Sequence, residues 1–286
     1  MTSPSSDHDL PALLALAESA AREAGVLVRD ERPRDLGVAA TKSTPTDVVT
    51  VMDQRSERLL RDRLLGARPD DGLLGEEGGG VDGSSGVTWV VDPIDGTVNY
   101  LYGIPAYAVS VAAVTGDPKR PGGYDVLVGC VHNPVTGDTW TASRGGGSYL
   151  DGERLAVREV DDLGQVLLGT GFGYAASRRA HQAQVVSALL PQVRDIRRIG
   201  SGTLDLCAVA SRRLDAYFER GLAPWDLAAG ELVAREAGAL VTGLVTDDGE
   251  VAAAGADLVV VAAPRLHARL QELLRPLRPD TDASAG

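Results

Sequence analysis

The stretch WVVDPIDGTVNY, Trp89 to Tyr100, places two aspartates at the end of an apolar run and follows them with Gly-Thr. The run WVV is typical of a buried strand, since β-branched and aromatic residues favour strands. Asp92 and Asp95 come next, with two residues between them. Burying a charged group costs free energy unless an opposite charge, hydrogen bonds or a metal ion compensates the charge. The stretch therefore predicts that both acids serve a site at the mouth of the core.

Other acidic residues occur in a similar sequence context. Each follows apolar or aromatic residues and precedes either glycine or the start of a helix. They are Glu76 and Glu77 in LLGEEGGG and Asp226 in PWDLAAG. Each acid alone also has a structural explanation: a turn at Asp92 or Asp95, a glycine loop at Glu76 and Glu77, and an N-cap at Asp226 for a helix that begins at residue 227. Their co-occurrence in one chain favours a common cleft.

Composition narrows the class of protein. The chain has 286 residues, 44% hydrophobic and 24% charged, which is enough for one large or two medium globular domains. Its net charge of −12 argues against binding to nucleic acid or to an anionic membrane surface. Two cysteines, Cys130 and Cys207, do not make a disulfide framework, and the start of the chain does not resemble a signal peptide. We expect a cytoplasmic protein.

The first half of the chain predicts two helices followed by a sheet. Apolar residues recur at helical spacing over residues 10–28, after Asp9, and again over residues 52–64. The polar run TKSTPTD between them places Lys42 on a loop. From Val87 onward, short β-rich runs predict consecutive strands of a largely antiparallel sheet: VTWVVD, YAVSVAAVT, YDVLVGCVHN and DTWTAS.

The second half alternates strand and helix patterns, which is typical of an α/β domain. The successive patterns are VLLGTG, a helix over residues 182–190, DIRRIG, a helix from Thr203, DAYFE, a helix from Asp226, DLVVVAAP and a last helix. We predict an N-terminal α+β domain over residues 1–152 that binds metal and a C-terminal α/β domain over 153–286. Residues 1–8 and those from about 279 onward are expected to be disordered.

The acids point to a hard metal ion. Like charges that converge in a cleft stay protonated unless a cation compensates them. A donor set of oxygen atoms, without cysteine or histidine, selects Mg²⁺ or a similar ion, and Mg²⁺ held by few carboxylates typically meets phosphate. Gly96 and Thr97 would then offer backbone N–H groups to the phosphate. His132, in CVHNPVTG, is a weaker candidate, because a lone histidine near a strand end is more often a structural hydrogen-bonding group.

Several motifs together resemble the signatures of the inositol monophosphatase family, of the bacterial inositol-1-monophosphatase type. They occur in the family's order over nearly the whole chain: TKSTPTDVVTVMD (41–53), GEE (75–77), DPIDGT (92–97), GSGTLDLC (200–207) and ERGLAPWDLAAGELVAREAG (219–238). The resemblance implies a layered αβαβα sandwich of the inositol monophosphatase and fructose-1,6-bisphosphatase type. It also implies a homodimeric, lithium-sensitive, Mg²⁺-dependent hydrolase that converts inositol 1-phosphate to myo-inositol and phosphate.

The resemblance also assigns metal ligands. Glu76, Asp92 and the carbonyl of Ile94 would hold a first Mg²⁺. Asp92, Asp95 and Asp226 would hold a second, so that Asp92 bridges the two ions.

Catalytic and substrate-binding roles follow from the same resemblance. Glu76 and Thr97 would orient the attacking water, and Asp53 would bond the Thr97 hydroxyl. The residues implied in substrate binding are Asp95, Gly96, Thr97, Gly200, Ser201, Gly202, Glu219 and Asp226, with Lys42 and Glu77 in supporting positions. After DGT many members of the family continue Thr-Asn-Phe with a histidine two places on, whereas this chain has Val98, Asn99, Tyr100, Leu101 and Tyr102. This departure affects the substrate rim more than the metal ligands.

Two other phosphate signals compete with this interpretation. GFGYAA, residues 171–176, fits the dinucleotide motif G-x-G-x-x-A after a strand, and Asp195 lies near the distance expected of a ribose-binding acid. A lone motif of this type is weak, and a turn between strand and helix is the plainer explanation. Haloacid-dehalogenase-like phosphatases also place aspartates before Gly-Thr, but with one residue between them. The two residues here disfavour an aspartyl-phosphate intermediate.

Alternatives remain open within and outside the enzyme class. The same superfamily includes phosphatases for histidinol phosphate and for small sugar or nucleotide bisphosphates. A second phosphate needs a basic pocket, and Arg197, Arg198 and Arg220 are the candidates near the substrate motifs. We interpret these arginines as ordinary solvated charge. A different class is a regulatory binding protein with vestigial activity, for instance a partner of RNA-associated machinery.

Overall fold

The computed structural model describes residues 8–42, 48–246 and 248–281. Most of the TKSTPTD run, and the predicted disorder of residues 1–7 and 282–286, therefore lie outside the described residues. Residues 279–281 are described and follow the last helix, with the Thr281 N–H donating to the Arg278 carbonyl oxygen. The helices are α1 (Leu10–Asp30), α2 (Val51–Ala67), α3 (Thr97–Tyr102), α4 (Ala176–Leu189), α5 (Gly202–Ala210), α6 (Pro224–Glu236) and α7 (Pro264–Leu274).

The strands form two large sheets and one small pair. The small pair is β1 (Ala40–Thr41) with β2 (Val48–Val49). The first large sheet contains β3 (Gly72–Gly75), β4 (Gly79–Val81), β5 (Val87–Asp95), β6 (Ala108–Gly116), β7 (Tyr124–His132), β8 (Thr139–Ser143), β9 (Gly147–Leu150) and β10 (Glu153–Arg154). The second contains β11 (Leu167–Thr170), β12 (Asp195–Arg197), β13 (Ala216–Glu219), β14 (Leu240–Thr242) and β15 (Val259–Ala262).

The first sheet has the strand order β10-β9-β8-β7-β6-β5-β3-β4. From β5 to β10 the neighbours are consecutive and antiparallel, as the sequence predicts. The pair β3 and β5 is parallel instead. The second sheet has the order β12-β11-β13-β15-β14, and β11 runs parallel to both β12 and β13.

Alternating side chains on each sheet separate the layers. On the first sheet, Trp89 and Val91 face α1 and α2, whereas Val90 faces α5 and α6. On the second sheet, Tyr217 faces α5 and α6, whereas Phe218 faces α4 and α7. This period of two is the pattern of a sheet that is covered on both sides. The layers are therefore helix, sheet, helix, sheet, helix, and this confirms the predicted αβαβα sandwich.

Local sequence explains where the first two helices begin. The Asp9 carboxylate accepts a hydrogen bond from the Ala12 N–H, as an N-cap does. Helix α2 begins with a capping box in which Thr50 and Asp53 satisfy each other's backbone N–H groups. Full burial of a side chain such as Leu60 contributes roughly 2 kcal/mol to this packing. No described helix combines the length and the apolar character that crossing a membrane requires.

Candidate active site

Parallel pairing of β3 and β5 places two of the predicted acids side by side. Gly75, the last residue of β3, lies opposite Val91 in the parallel register. The next residues along the two strands are Glu76 and Asp92. Since the carboxyl ends of parallel strands meet at one edge of a sheet, these two acids lie together although they are distant in sequence.

An extra residue in β5 brings Asp92 and Asp95 to the same face. Asp92 pairs with Ser110, and Asp95 pairs with Ala108, so three steps along β5 match two steps along β6. Without this irregularity, residues three apart would point to opposite faces of the sheet. The bulge is held by the Ile94 N–H, which donates to Asp92 Oδ1 at 2.9 Å. Asp92 and Asp95 therefore point into one site.

Asp226 reaches the same site from the first turn of α6. The helix begins at Pro224, so the interpretation of Asp226 as the N-cap of a helix from residue 227 is wrong. The Ala223 N–H donates to Asp226 Oδ2 at 2.7 Å. The Thr203 hydroxyl donates to the backbone carbonyl of Asp226 at 2.8 Å. These contacts fix both the backbone and the carboxylate of Asp226.

The three aspartates form a compact carboxylate group. Asp92, Asp95 and Asp226 each offer an oxygen, and these oxygens lie within 4.8 Å of one another. Burial, together with neighbouring negative charge, raises the pKa of Asp92 and of Asp226 well above the usual range. Burial also raises the pKa of Asp95, although hydrogen bonds from the Ser201 hydroxyl and the Thr203 N–H partly offset the effect. An arrangement of this kind fits a bound cation, because a cation would let the carboxylates ionise together.

Glu76 completes the acidic side with a cationic neighbour. Lys42 Nζ lies 2.7 Å from a carboxylate oxygen of Glu76 and 2.6 Å from one of Glu77. Burial raises the pKa of Glu76 to about 7 against the opposing effect of Lys42. Lys42 follows β1 outside any helix or strand, as the sequence predicts.

Thr97 is held in a fixed orientation beside the acids. Its hydroxyl oxygen lies 3.0 Å from Asp53 Oδ1 and 3.0 Å from the Ile94 carbonyl oxygen. The Asp53 carboxylate also accepts from the Thr50 N–H at 2.8 Å and from the Thr50 hydroxyl at 2.5 Å. The single Thr97 proton therefore points into the protein, and its lone pairs remain available on the other side.

The acids open into a cavity of about 620 Å³. All of the predicted site residues line it except Asp53, Glu77 and Ser201, which lie behind the wall. The Ser201 hydroxyl donates to Asp95 Oδ2 at 2.6 Å, so this side chain supports a predicted metal ligand.

Glu219 lies on another part of the cavity wall. The Tyr217 hydroxyl donates to Glu219 Oε2 at 2.5 Å. Burial raises the pKa of Glu219 to about 7, against the lowering effects of the Tyr217 hydrogen bond and the charge of Arg198. The cavity therefore has two parts. One is the acidic group that fits a cation, and the other is a separate polar wall that contains Glu219.

Sequence reasoning missed one wall of the cavity. Phe172, Gly173 and Tyr174, from the GFGYAA segment, line it together with Arg178. A side chain at Gly171 would overlap the Glu219 carboxylate, so this glycine makes room for a protein group. The segment joins β11 to α4, which agrees with the interpretation as a turn between strand and helix. The GFGYAA segment directly follows a strand of the second, α/β half of the chain. Because ligands commonly bind at the carboxyl ends of such strands, this position was the sequence signal that could have assigned the segment to the site.

Two of the three arginines near the substrate motifs line the cavity. Arg198 is exposed there and Arg220 is half-buried. Arg198 directly follows β12, and Arg220 directly follows β13, at the carboxyl ends of strands parallel to β11. Arg197 is also exposed, but it lies outside the cavity lining and forms an ion pair with Asp195 at 2.6 Å.

The remaining predictions concern residues near the rim. His132 Nδ1 lies 2.9 Å from the Thr139 hydroxyl within the protein, which confirms a structural role. Val98 lines the cavity. Asn99 and Tyr100 are buried: the Asn99 amide donates to the Ile199 carbonyl, and the Tyr100 hydroxyl donates to the Val28 carbonyl. Within this run, Val98 therefore reaches the cavity, Asn99 and Tyr100 support the fold, and Tyr102 is exposed.

Comparison with known proteins agrees with this geometry. A profile of the inositol monophosphatase family matches residues 9–279. An inositol-1-monophosphatase of Mycobacterium leprae is 50% identical over 282 residues, which covers 92% of this chain and 93% of the relative. The solved structure of Mycobacterium tuberculosis SuhB is similar, with a TM-score of 0.76, 42% sequence identity and coverage of 96% of this chain and 100% of that chain. A Vibrio cholerae protein named Nus factor SuhB is 38% identical over 232 residues, or 80% of this chain and 84% of that protein.

Proposed function

This chain belongs to the inositol monophosphatase family, and from that premise we propose that it is an Mg²⁺-dependent phosphatase whose substrate is inositol 1-phosphate. The products would be myo-inositol and phosphate. The observation that carries the proposal is the convergence of three carboxylates within 4.8 Å on the cavity that Thr97 and Glu219 also line. Histidinol phosphate, or another small sugar or nucleotide phosphate, is the alternative substrate.

The donor atoms fit Mg²⁺. Carboxylate and carbonyl oxygens are its preferred protein ligands, and neither cysteine nor histidine lies among the described lining residues. We propose that Glu76, Asp92 and the Ile94 carbonyl hold one ion, and that Asp92, Asp95 and Asp226 hold another. When bound, Mg²⁺ would lower the pKa of water and neutralise the charge that develops on the phosphate and the leaving oxygen.

The residues of the chain would orient the attacking water. The Thr97 hydroxyl donates its proton inward, to Asp53 or to the Ile94 carbonyl, so its lone pairs can accept a hydrogen bond from water. The Glu76 carboxylate can accept a second hydrogen bond. When both O–H groups of the water donate to these two fixed acceptors, a lone pair of the water oxygen would point toward phosphorus. Such positioning lowers the entropic part of the activation barrier. No covalent phosphoenzyme is required.

The polar wall would bind the alcohol part of the substrate. The Glu219 carboxylate, oriented by the Tyr217 hydroxyl, is a strong acceptor for polyol hydroxyl groups. Gly200 and Gly202 line the cavity nearby and present backbone without a side chain. The P–O ester bond breaks as the new P–O bond forms. The attacking water releases one proton to solvent, and a solvent water delivers one proton to the leaving oxygen.

Steady-state kinetics on inositol 1-phosphate and histidinol phosphate, with and without Mg²⁺, tests the proposal. We expect hydrolysis that depends on Mg²⁺ and a higher kcat/KM for inositol 1-phosphate. A tenfold preference for histidinol phosphate, about 1.4 kcal/mol, would overturn the choice of substrate. Activity that persists after chelation would overturn the metal requirement.

A pair of variants separates the site from the rest of the protein. Asp95→Asn should abolish phosphate release, because Asp95 belongs to the carboxylate group. Asp195→Asn is the matched control, since Asp195 lies on the surface and pairs with Arg197. We expect the control to retain activity. Equal losses in both variants would contradict the assignment of Asp95.

The name of the Vibrio cholerae relative favours a second candidate function, that of a regulatory protein. Against it, the described residues keep all four proposed metal acids, and a purely regulatory protein would not need them. Phosphate release that disappears in Asp95→Asn supports the enzyme. A folded wild-type protein that releases no phosphate from either ester would favour the regulatory function.

A further inference from the structure

A second cavity lies at the opposite end of α6 from Asp226. Its volume is about 500 Å³, which is within the range of small-ligand sites. The start of β7, the C-terminal part of α6, β14 and residues 252–254 line it. Among the described residues, none lines both this cavity and the active-site cavity. The second cavity is therefore a separate candidate for binding a ligand.

One side of this cavity is built from small residues. They are Gly122, Ala252, Ala253 and Ala254. A Cβ atom on Gly122 would lie 3.1 Å from the Cβ of Ala253, so the turn before β7 meets residues 252–254 at this point. Because these residues carry no long side chains, they leave the interior of the cavity open.

The outer edge of β14 supplies a backbone donor. This strand is the last of the second sheet. Arg235 Nη2 donates to the Val241 carbonyl at 2.5 Å, and the Gly243 N–H donates to the Ala252 carbonyl at 2.8 Å, so both groups point away from β15. Since the N–H and the C=O of one strand residue point to the same side, the Val241 N–H also faces the cavity. Among the described residues outside the sheet, no acceptor contacts this N–H.

Two arginines add donors from different elements. Arg144 directly follows β8, is exposed and lines the cavity. Within the described parts of the chain, no acceptor contacts its guanidinium group. Arg235 Nε donates to Glu231 Oε1 at 2.7 Å, and its guanidinium group has further N–H donors for a ligand. Together with the Val241 N–H, these groups form a donor set for an anion.

The acids of the lining limit the charge that this anion can carry. The Glu236 carboxylate already accepts from the Gly145 N–H at 2.7 Å and from the Gly147 N–H at 2.8 Å. Burial raises the pKa of Glu231, against the opposing effect of Arg235. With Asp125, the described lining contains three acids and two arginines. Because like charges repel, this balance favours a singly charged carboxylate over a phosphate dianion.

Tyr124 and Glu231 can bind a hydroxyl group of the same ligand. The Tyr124 hydroxyl lies 3.5 Å from Glu231 Oε2, which is at the long limit of a hydrogen bond. Both groups line the cavity. A weak mutual contact leaves each of them able to form a shorter hydrogen bond to a ligand hydroxyl.

We propose that this second cavity binds a small carboxylate that also carries hydroxyl groups, of the sugar-acid class. The carboxylate would lie among Arg144, Arg235 and the Val241 N–H, and a hydroxyl would meet Tyr124 and Glu231. Hydrogen bonds between guanidinium and carboxylate are charge-assisted and are stronger than neutral ones. The inference goes beyond the proposed function and does not depend on it, because neither Mg²⁺ nor hydrolysis takes part.

Calorimetry on the full chain tests the ligand class, in EDTA and at constant ionic strength. D-Gluconate is the probe, sorbitol lacks its carboxylate, and hexanoate lacks its hydroxyl groups. We expect saturable binding of gluconate at one site, about tenfold tighter than that of sorbitol or hexanoate. Absence of saturable gluconate binding, or equal binding of the three compounds, would overturn the proposal. Tighter binding of inorganic phosphate than of gluconate would overturn the choice of a carboxylate.

Arg144→Ala locates the site, and Arg198→Ala is its matched control. Both arginines are exposed, but Arg144 lines the second cavity and Arg198 lines the active-site cavity. Arg144→Ala should weaken gluconate binding about tenfold, whereas Arg198→Ala should leave it unchanged. Arg144→Lys should give an intermediate loss, because lysine keeps the charge but not the paired hydrogen bonds. If Arg198→Ala weakens binding as much as Arg144→Ala does, gluconate binds elsewhere or through general charge, and the second site is rejected.

Discussion

At the scale of single residues, the charge on Glu219 gives the cavity a testable pH dependence. Burial raises the pKa of this carboxyl to about 7, while the Tyr217 hydroxyl and Arg198 oppose the rise. Because the ionised form is the better acceptor for substrate hydroxyls, kcat/KM should increase as the pH rises through about 7. In saturating Mg²⁺, where a bound cation would keep Glu76 ionised, Glu219→Gln should remove this limb of the pH profile.

Tyr217→Phe extends the same prediction and distinguishes a positioning role from a structural one. Loss of the hydroxyl removes a hydrogen bond that stabilises the ionised carboxylate, so the pKa of Glu219 should rise and the limb should move to higher pH. Tyr149→Phe is the control, because the Tyr149 hydroxyl donates to the Gly146 carbonyl outside the cavity. A shift to lower pH in Tyr217→Phe, or the same shift in the control, would contradict this role.

At the scale of secondary-structure elements, α2 holds the loop that carries Glu76. Glu57 is buried in α2, with 3% of its surface exposed. Its carboxylate accepts from the Glu77 N–H at 2.7 Å and from the Gly78 N–H at 2.6 Å. Side chains at Gly75 and Gly78 would each come within 2.5 Å of this carboxylate, which explains the glycines around the two acids.

Glu57→Ala should therefore affect both stability and metal binding. It leaves two backbone N–H groups without their acceptor, and we expect a loss of about 2 kcal/mol in the free energy of unfolding. The Mg²⁺ concentration for half-maximal activity should rise several-fold, because Glu76 loses its fixed loop. Denaturant unfolding and Mg²⁺ titration measure the two effects.

Glu23→Ala is the control for Glu57→Ala. Glu23 pairs with Arg63 on the surface, so its loss should change stability by less than about 1 kcal/mol. The anchoring role of Glu57 would be wrong if its variant kept wild-type Mg²⁺ dependence despite normal folding.

Among the secondary-structure elements, some features were predictable from the sequence and others were not. Long periodic segments such as α1 and the antiparallel run β5 to β8 were predictable, because hydrophobic spacing and turn residues act locally. The motif DPIDGT likewise indicated two of the aspartates that the structure brings together in the carboxylate group. The parallel pairing of β3 with β5 was missed, because GLLG is short and its partner lies beyond the intervening β4.

Three arginines that line the cavity show why part of the site was not predictable. The sequence named Arg198 and Arg220 as candidates but could not separate them from Arg197, which lies outside the cavity lining, and it did not indicate Arg178. Only the strand order β12-β11-β13 brings the three segments together at one cavity. The direction of the Ser201 side chain was likewise beyond local patterns, because Ser201 is the N-cap of α5 and its hydroxyl supports Asp95 from a distant segment.

At the scale of the whole molecule, α5 and α6 form the layer between the two sheets, and α6 carries Asp226. Gly129 of β7 lies under α6, where an added Cβ would be 2.9 Å from both Cα and O of Ala229. A methyl group cannot be accommodated there unless the helix or the sheet moves, because both contacts are with backbone. The position of Asp226 relative to Asp92 and Asp95 therefore depends on how closely α6 packs on the first sheet.

Gly129→Ala should lower the free energy of unfolding by about 1–3 kcal/mol, as overpacking of a core does, and should also weaken Mg²⁺ binding because α6 moves with Asp226. Gly66→Ala is the control, since Gly66 lies in α2 with open space around it, and alanine there should be neutral or stabilise by up to about 1 kcal/mol. Thermal unfolding with and without Mg²⁺ measures both quantities. The shift in Tm that Mg²⁺ produces should shrink in Gly129→Ala and persist in Gly66→Ala. A Gly129→Ala protein that loses stability but keeps the full Mg²⁺ shift would show that the carboxylate group is fixed locally, by Ala223 and Thr203, and not by the packing of the layers.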